Sequence, residues 1–415
     1  MLDFRMPGNL DRGRQKIEWA RTHMAVLEGI RRRFEVEKPF QGLTLSAVLH
    51  VEAKTAALAL AFQAGGAQVH LAAGNPLSTD DDPVAALIDA GIDTHAVKGQ
   101  SIAEYNAGIA AMLEADPDML VDDGADLVAL VHTKRKDAGR IRGSTEETTT
   151  GITRLRALEK SGKLLFPAID VNDAEMKHLF DNRYGTGQST IDGILSATNL
   201  LIAGRVAVVA GYGWCGKGIA ARLRGMGAEV IVTEIDPVRA LEARMDGFRV
   251  QRMLDAATRA DLIVTVTGNT GIVGAEHFRV IKDGCILANS GHFDVEVSRT
   301  DLEGVAISHR PVRPHVEEYA FADGRKVYLL GEGRLVNLAA GQGHPVEIMD
   351  LSFALQALSA EHIAKHGRSM SRKVHAVPTE LDREVARAAL APFGIQIDER
   401  TDAQRDYAAS WELGT

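Results

Sequence analysis

A glycine-rich turn held between two apolar runs constrains this chain more than any other feature. Residues 206–210 read Val-Ala-Val-Val-Ala, the length and β-branched content of a buried parallel strand. Gly211-Tyr212-Gly213-Trp214-Cys215-Gly216 follows at once, a G-x-G-x-x-G turn. A short amphipathic helix is expected over residues 219–226, and a second strand over 229–233 ending at Glu234. In such a unit Gly211 makes the tight turn, Gly213 lets the backbone approach a pyrophosphate, and Gly216 lets the helix pack on the strand. The helix N-terminus offers unpaired N–H groups and the positive end of its dipole to the phosphates. Glu234 lies eighteen positions past Gly216. A carboxylate there accepts from the adenosine ribose hydroxyls and repels a 2′-phosphate. The motif alone is weak, but with both strands, the helix and the acidic residue around it the stretch predicts a Rossmann-type NAD site.

At 415 residues the chain is too long for one ordinary domain. A formal net charge of −9 offers no basic patch for nucleic acid. Cys215 and Cys285 show neither a pairing pattern nor metal-ligand spacing. That fits a reducing cytoplasm, and no metal is expected. The first twenty residues carry charges throughout, without the apolar stretch of a secretion signal. No apolar run reaches membrane-spanning length.

Periodicity predicts one helix over 11–34, with Ile17, Ala20, His23, Met24, Leu27 and Ile30 at helical spacing. Strands are expected at 43–49, 68–72, 93–97, 119–121 and 164–171, with helices at 52–64, 102–112, 146–161 and 172–180 between them. The alternation implies a first α/β domain. Further strands at 262–267 and 285–288 extend the dinucleotide domain, and residues from 345 onward read as mostly helical. The fold class is α/β: two parallel-sheet, Rossmann-like domains facing across a cleft, plus a small helical C-terminal segment. The divisions are 1–187 for the substrate domain, completed by 345–368, then 188–344 for NAD and 369–415 for a dimerisation segment. His50, Asp122-Asp123, Asp173, Glu234, Thr267 to Asn269 and Asn289 to His292 all follow the carboxyl end of an expected strand. Open α/β sheets bind ligands there.

Several separated runs then resemble one family. Glu146-Glu147-Thr148-Thr149-Thr150-Gly151, Asn172-Asp173, Lys177, Phe180-Asp181-Asn182 and Gly211 to Gly218 are similar to signature runs of the S-adenosylhomocysteine hydrolases. So are Gly291-His292-Phe293-Asp294-Val295-Glu296, Gly333 to Leu338 and Gly343-His344-Pro345. The resemblance covers nearly the whole chain in colinear order. It implies a homotetramer with tightly held NAD that oxidises the 3′-hydroxyl of a nucleosyl-homocysteine. Loss of the C4′ proton then expels homocysteine, water adds at C5′, and the ketone is reduced again. It also implies roles. Lys177 is the expected base at the 3′-hydroxyl, its pKa lowered by burial, with Asp181 and Asn182 orienting it. Glu147 binds the ribose hydroxyls, and Asp123 takes the C4′ proton. His50 and His292 serve the leaving sulfur and the incoming water. Thr148, Thr149, Thr150, Asn182, Glu234, Thr267, Asn289 and Asn337 contact NAD with Gly211, Gly213 and Gly216. Thr55, Gln342, His344 and Met349 lie about the nucleoside.

In isolation these residues have plainer readings. Asp122-Asp123-Gly124 suits a turn, Thr148 to Thr150 a helix start, Lys177 a solvated charge and His50 a structural histidine. A non-catalytic NAD-binding relative is the alternative from another class, but Lys177, Asp123 and His292 are all present. The chain also departs from the family pattern. Its last ten residues, Asp406 to Thr415, lack the usual lysine-and-tyrosine ending, and Gln342 stands where a methionine is usual. After His50 the sequence reads Val51-Glu52-Ala53-Lys54-Thr55, with Glu52 for the usual threonine and Lys54 for the usual glutamate. Lysine donates hydrogen bonds and accepts none, so Lys54 suits the O6 of hypoxanthine and opposes the amino group of adenine. Glu52 could accept from the hypoxanthine N1–H. The reading is preference for S-inosyl- over S-adenosyl-homocysteine; the plainer reading is that Glu52 and Lys54 pair with each other.

Overall fold

A computed structural model of the chain describes residues 8–135 and 138–411; expectations about residues 1–7 and 412–415 fall outside the described residues. Six strands come first: β1 (Thr44–Leu49), β2 (Gln68–Ala73), β3 (Asp93–His95), β4 (Met119–Asp122), β5 (Gly143–Glu146) and β6 (Ala168–Asp170). Eight more follow: β7 (Val206–Ala210), β8 (Glu229–Thr233), β9 (Arg249–Val250), β10 (Leu262–Thr265), β11 (Cys285–Asn289), β12 (Ala306–Arg313), β13 (Val316–Phe321) and β14 (Lys326–Leu330). The last, β15, is Val374–Ala376. The first sheet runs β15-β6-β5-β4-β1-β2-β3 with every pairing parallel. The second runs β12-β13-β14-β11-β10-β7-β8-β9. β1 is buried at every position and β7 at all but its first, as expected of strands covered by helices on both faces.

Four expectations need correction. The second sheet is not wholly parallel: β12, β13 and β14 form an antiparallel edge that the parallel-sheet reading omits. The single N-terminal helix is two, Leu10–His23 and Ala25–Glu37, broken at Met24. Asp350 explains the break, since its carboxylate accepts from the N–H groups of Val26 and Leu27 (2.9 and 2.7 Å) and so starts the second helix. Residues 172–180 do not make one ordinary helix. A short turn, Glu175–Lys177, runs into a π-helix, His178–Gly185, and then into the α-helix Thr186–Thr198. Finally, residues beyond 368 contribute β15 to the first sheet and the helix Thr379–Leu390 to its packing, through buried Val385 and Ala389.

The long helix Val346–His366 is apolar and almost entirely buried, and it lies across the first sheet's core. The two units touch backbone to backbone at a pair of glycines. A Cβ at Gly218 would sit 1.7 Å from the carbonyl oxygen of Arg183, and one at Gly187 would sit 2.7 Å from the Gly218 carbonyl carbon. The helix after the glycine turn can therefore lie directly on the π-helix. Among the described residues no helix is long and apolar enough to cross a membrane. Phe393, Ile395, Ile397, Tyr407 and Trp411 near the end of the chain are exposed.

Candidate active site

The carboxyl ends of both sheets open on one cavity of about 1200 Å³. Every candidate site residue lines it except Gly216, Asn289 and Gln342. Gly216 acts from behind: a Cβ there would lie 2.0 Å from the carbonyl oxygen of Gly211, so only glycine lets the helix start so close to the strand. Asn289 does not reach the cavity as expected. Its Nδ2 donates to the carbonyls of Gly291, Phe293 and Gly333, and its Oδ1 accepts from Thr265 Oγ1 and the Gly291 N–H. With those bonds made, it braces the loop that carries His292. The Gln342 side chain is exposed, and its backbone carbonyl is what meets Lys54.

Lys177 lies at the centre. Its ammonium donates to Asp181 Oδ1 (3.0 Å) and Asn182 Oδ1 (2.9 Å) and lies 3.4 Å from Glu147 Oε1. Partners at i+4 and i+5 converge because the intervening turn is π-helical, wider than an α-turn by one residue. Asp382 holds the start of that turn, accepting from the N–H groups of Glu175 and Met176. Asn182 in turn donates to Asn172 (3.0 Å).

The electrostatics correct one expectation. Burial alone pulls the Lys177 pKa down, but the carboxylates of Asp181 and Glu147, with Asp123 behind them, outweigh it and hold the value above that of a free lysine. Lys177 is therefore a cation in the resting site. Burial works on Asp181 in the upward direction, yet Lys177, His344 and the Ser352 hydroxyl keep it well below the usual carboxylate range. Glu147 is pushed up to about 7, by burial first, with Asp181 and Asp123 adding to it against Lys177 and Gln356.

A second group stands across the cavity. Asp123 lies between His50 (Nε2 to Oδ2, 3.5 Å) and His292 (Nδ1 to Oδ1, 3.8 Å). Ser78 gives its hydroxyl proton to the Asn75 carbonyl, so it accepts from His50 Nδ1 at 2.6 Å. That leaves the proton on Nδ1 and the Nε2 lone pair on the side of Asp123. Burial lowers the His50 pKa to about 4 despite Asp123, so the ring is neutral. Gly124, at φ +111°, makes room for His292, whose Nε2 would lie 2.6 Å from a Cβ there.

Dinucleotide chemistry fits the far arm of the cavity. Glu234 accepts from the N–H groups of Tyr212, Ile235 and Asp236, which fixes its carboxylate at the cavity edge. Gly213 caps the helix Trp214–Gly225, whose first N–H groups lack intrahelical partners. Asn337 is held by Ser189, and its buried Oδ1 has no partner among the described residues. At the other end Lys54 Nζ, also buried, lies 3.1 Å from Glu52 Oε2 and 3.1 Å from the Gln342 carbonyl. Thr55 donates to the carbonyl of His50.

Sequence reasoning missed several supports. Ser78, Asp382, Ser352 and Gln356 touch the residues above from distant parts of the chain. For the last two a signal existed. Ser352 and Gln356 are polar positions four apart within the mostly apolar, buried run of a helix, and buried polar groups have partners.

This chain is similar to known proteins of one family along nearly its whole length. The family model described as S-adenosyl-L-homocysteine hydrolase matches residues 8–141, and the model of that family's NAD binding domain matches residues 182–343. An adenosylhomocysteinase of Pyrococcus abyssi is 54% identical over 404 residues, covering 97% of this chain and 96% of the relative. One of Aquifex aeolicus is 55% identical over 407 residues, 98% of this chain and 97% of the relative. An S-inosyl-L-homocysteine hydrolase of Methanopyrus kandleri is 53% identical over 414 residues, 99% of this chain and 98% of the relative.

Proposed function

The chain belongs to the S-adenosylhomocysteine hydrolase family, and from that premise we propose that this NAD-using hydrolase prefers S-inosyl-L-homocysteine to S-adenosyl-L-homocysteine. One observation carries the preference: a buried lysine, Lys54, stands in the cavity wall within reach of a glutamate and a backbone carbonyl. Hypoxanthine presents an O6 acceptor and an N1–H donor, whereas adenine presents the reverse. Lys54 turned from Glu52 onto O6 would free Glu52 to accept from N1–H. Adenine would set its amino group against the Lys54 ammonium and its N1 lone pair against the Glu52 carboxylate, leaving both positions of the base edge unmatched in a closed site. Hydrogen bonds to charged groups are worth about 1.5–3 kcal/mol, so discrimination of about ten- to a hundredfold is expected. The name of the Methanopyrus relative supports this reading. The contact between Glu52 and Lys54 favours a second reading, an ordinary adenosylhomocysteinase in which the two satisfy each other. Measuring kcat/KM for both substrates decides between them. Lys54→Glu with Glu52→Thr should narrow or reverse an inosyl preference, and a wild-type enzyme faster on the adenosyl substrate would sink the proposal.

The residues then take these parts. Oxidation of the 3′-hydroxyl, and its reversal at the end, is the chemistry NAD supplies when bound. Glu147 accepts from the ribose hydroxyls. Lys177, once it has given up its own proton, receives that of the 3′-hydroxyl, with Asp181 and Asn182 fixing its position. Asp123 removes the C4′ proton that the neighbouring ketone makes acidic. His50 and His292, on either side of Asp123, pass a proton to the departing sulfur and take one from the incoming water. Thr148, Thr149, Thr150, Asn182, Glu234, Thr267 and Asn337 hold the dinucleotide, while Thr55, His344 and Met349 enclose the nucleoside. Residues 1–187 with 345–368 form the substrate domain, which β15 and the helix Thr379–Leu390 complete, and 188–344 form the NAD domain. Assembly as a homotetramer through residues 369–415 is supported by their exposed Phe393, Ile395 and Ile397.

A further inference from the structure

The helix Val346–His366 presents two uncharged donors to the two carboxylates that flank Lys177. Ser352 Oγ donates to Asp181 Oδ2 at 2.7 Å, and Gln356 Nε2 donates to Glu147 Oε2 at 2.5 Å. Residues four apart share one face of a helix, and both are fully buried. In each carboxylate the other oxygen faces the lysine: Asp181 Oδ1 at 3.0 Å and Glu147 Oε1 at 3.4 Å. The two cases are not equivalent. Asp181 has Lys177 and His344 as well as Ser352. Glu147 has one direct neutral donor, Gln356, and Lys177 at longer range. Its Oε1 makes no hydrogen bond among the described residues.

We propose that Gln356 is a positioning residue, which holds Glu147 in its ionised, acceptor-only form so that its free oxygen can take the ribose hydroxyls of the nucleoside. The inference rests on the reading of Glu147 as the ribose ligand. The groups around Glu147 show why a donor is needed. Lys177 favours its charge, but Asp181 on the π-helix and Asp123 at the end of β4 both oppose it. Beyond them His344 lies on Asp181, and His50 and His292 lie on Asp123. His50 is neutral, so it relieves little of the repulsion. An ionised carboxylate makes the stronger hydrogen bonds to hydroxyl donors. Gln356 thus sets the pH above which the ribose is gripped.

Calorimetric binding of inosine and adenosine to the enzyme loaded with NADH, which cannot oxidise them, tests this across a pH series. Wild-type affinity should rise as pH passes about 7, where Glu147 ionises. Gln356→Met, near in shape but without the donor, should keep the affinity at high pH. Its midpoint should move up by about one unit or more, so that binding is about tenfold weaker on the acid side. A purely structural role would weaken binding at every pH and leave the midpoint in place. If Gln356→Met does not fold, Gln356→Glu carries the same test. Its carboxyl can donate only while protonated, so affinity should fall as pH rises, opposite to wild type. Glu147→Gln separates the two layers of argument. If that variant binds both nucleosides as wild type does at every pH, the ribose reading of Glu147 fails. If it abolishes the pH dependence while the Gln356 variants reproduce the wild-type profile, the role of Gln356 alone is overturned.

Discussion

Replacing Glu146 by glutamine should cost the protein almost nothing, whereas replacing it by leucine should be severe. Glu146 ends β5 and is fully buried. Its Oε1 accepts from the N–H of Gly124 (2.8 Å) and the N–H of Thr148 (3.0 Å), joining the loop of Asp123 to the turn of Thr148 to Thr150. Its Oε2 has no hydrogen-bond partner among the described residues. Burial, then the charges of Asp122 and Asp123, hold the Glu146 pKa well above the ordinary value, which favours the neutral acid in the folded protein. Gly151 packs against that carboxyl so closely that a Cβ there would lie 2.1 Å from Cδ, which leaves the side chain nowhere to turn. Glutamine keeps the Oε1 acceptor and the shape. Leucine strands two buried N–H groups at about 1–3 kcal/mol each, or about 2–6 kcal/mol together. The pH dependence has a definite sign. The folded form keeps a proton that the unfolded chain releases above its ordinary value of 4.5, so wild-type stability falls as pH rises from there towards the folded pKa. Over that window wild type loses about 1.4 kcal/mol per pH unit relative to Glu146→Gln. Denaturant midpoints at fixed protein and NAD concentration, taken across the acid to neutral range, measure the gap. A glutamine variant as unstable as the leucine one, or a gap that does not widen with pH, would mean that Glu146 is ionised and the reasoning is wrong.

Two further outcomes concern the first steps of the reaction. Adding nucleoside to the loaded enzyme should raise NADH absorbance at a rate that climbs into alkaline pH, because Lys177 holds its proton beyond the usual lysine value. Lys177→Ala should abolish the rise, and normal NADH formation in that variant would remove Lys177 from the step. Asp123→Asn should still oxidise the nucleoside but stop exchanging the C4′ proton. Deuterium entering C4′ from solvent at the wild-type rate would identify another base.

What could be read from the sequence was set by distance along the chain. The glycine turn and Glu234 were legible because strand, turn, helix and acid are local, and the strand-end rule gathered His50, Asp123 and His292 near one another. Adjacency misled where it said nothing of direction. Asn289 ends a strand in the cofactor sheet yet turns its amide into the loop behind it, and Gln342 sits beside the nucleoside position with its side chain outside. The charge of Lys177 was misjudged because burial was weighed without the carboxylates that the fold places around it. Gln356 and Ser352 reach their partners across 209 and 171 residues, a separation no periodicity reports. The antiparallel edge β12 to β14 went unread because Arg310, Arg313, Glu317 and Glu318 break the apolar pattern that marks a buried strand.

The π-helix at His178–Gly185 does more than gather partners for Lys177. It feeds straight into Thr186–Thr198, the helix whose Ser189 meets Asn337 and whose Thr190 meets Ser290 on the cofactor side. Each residue of an α-helix advances its faces by roughly 100°. Removing one residue from the wide turn would therefore restore regular winding and rotate that whole helix, aiming Ser189 and Thr190 away from the second sheet. The stretch acts as a phase adjuster between the two sheets. Substitutions within it are open to the chain wherever a side chain points outward, but its length is not, because the count of residues keeps the two halves of the site in step.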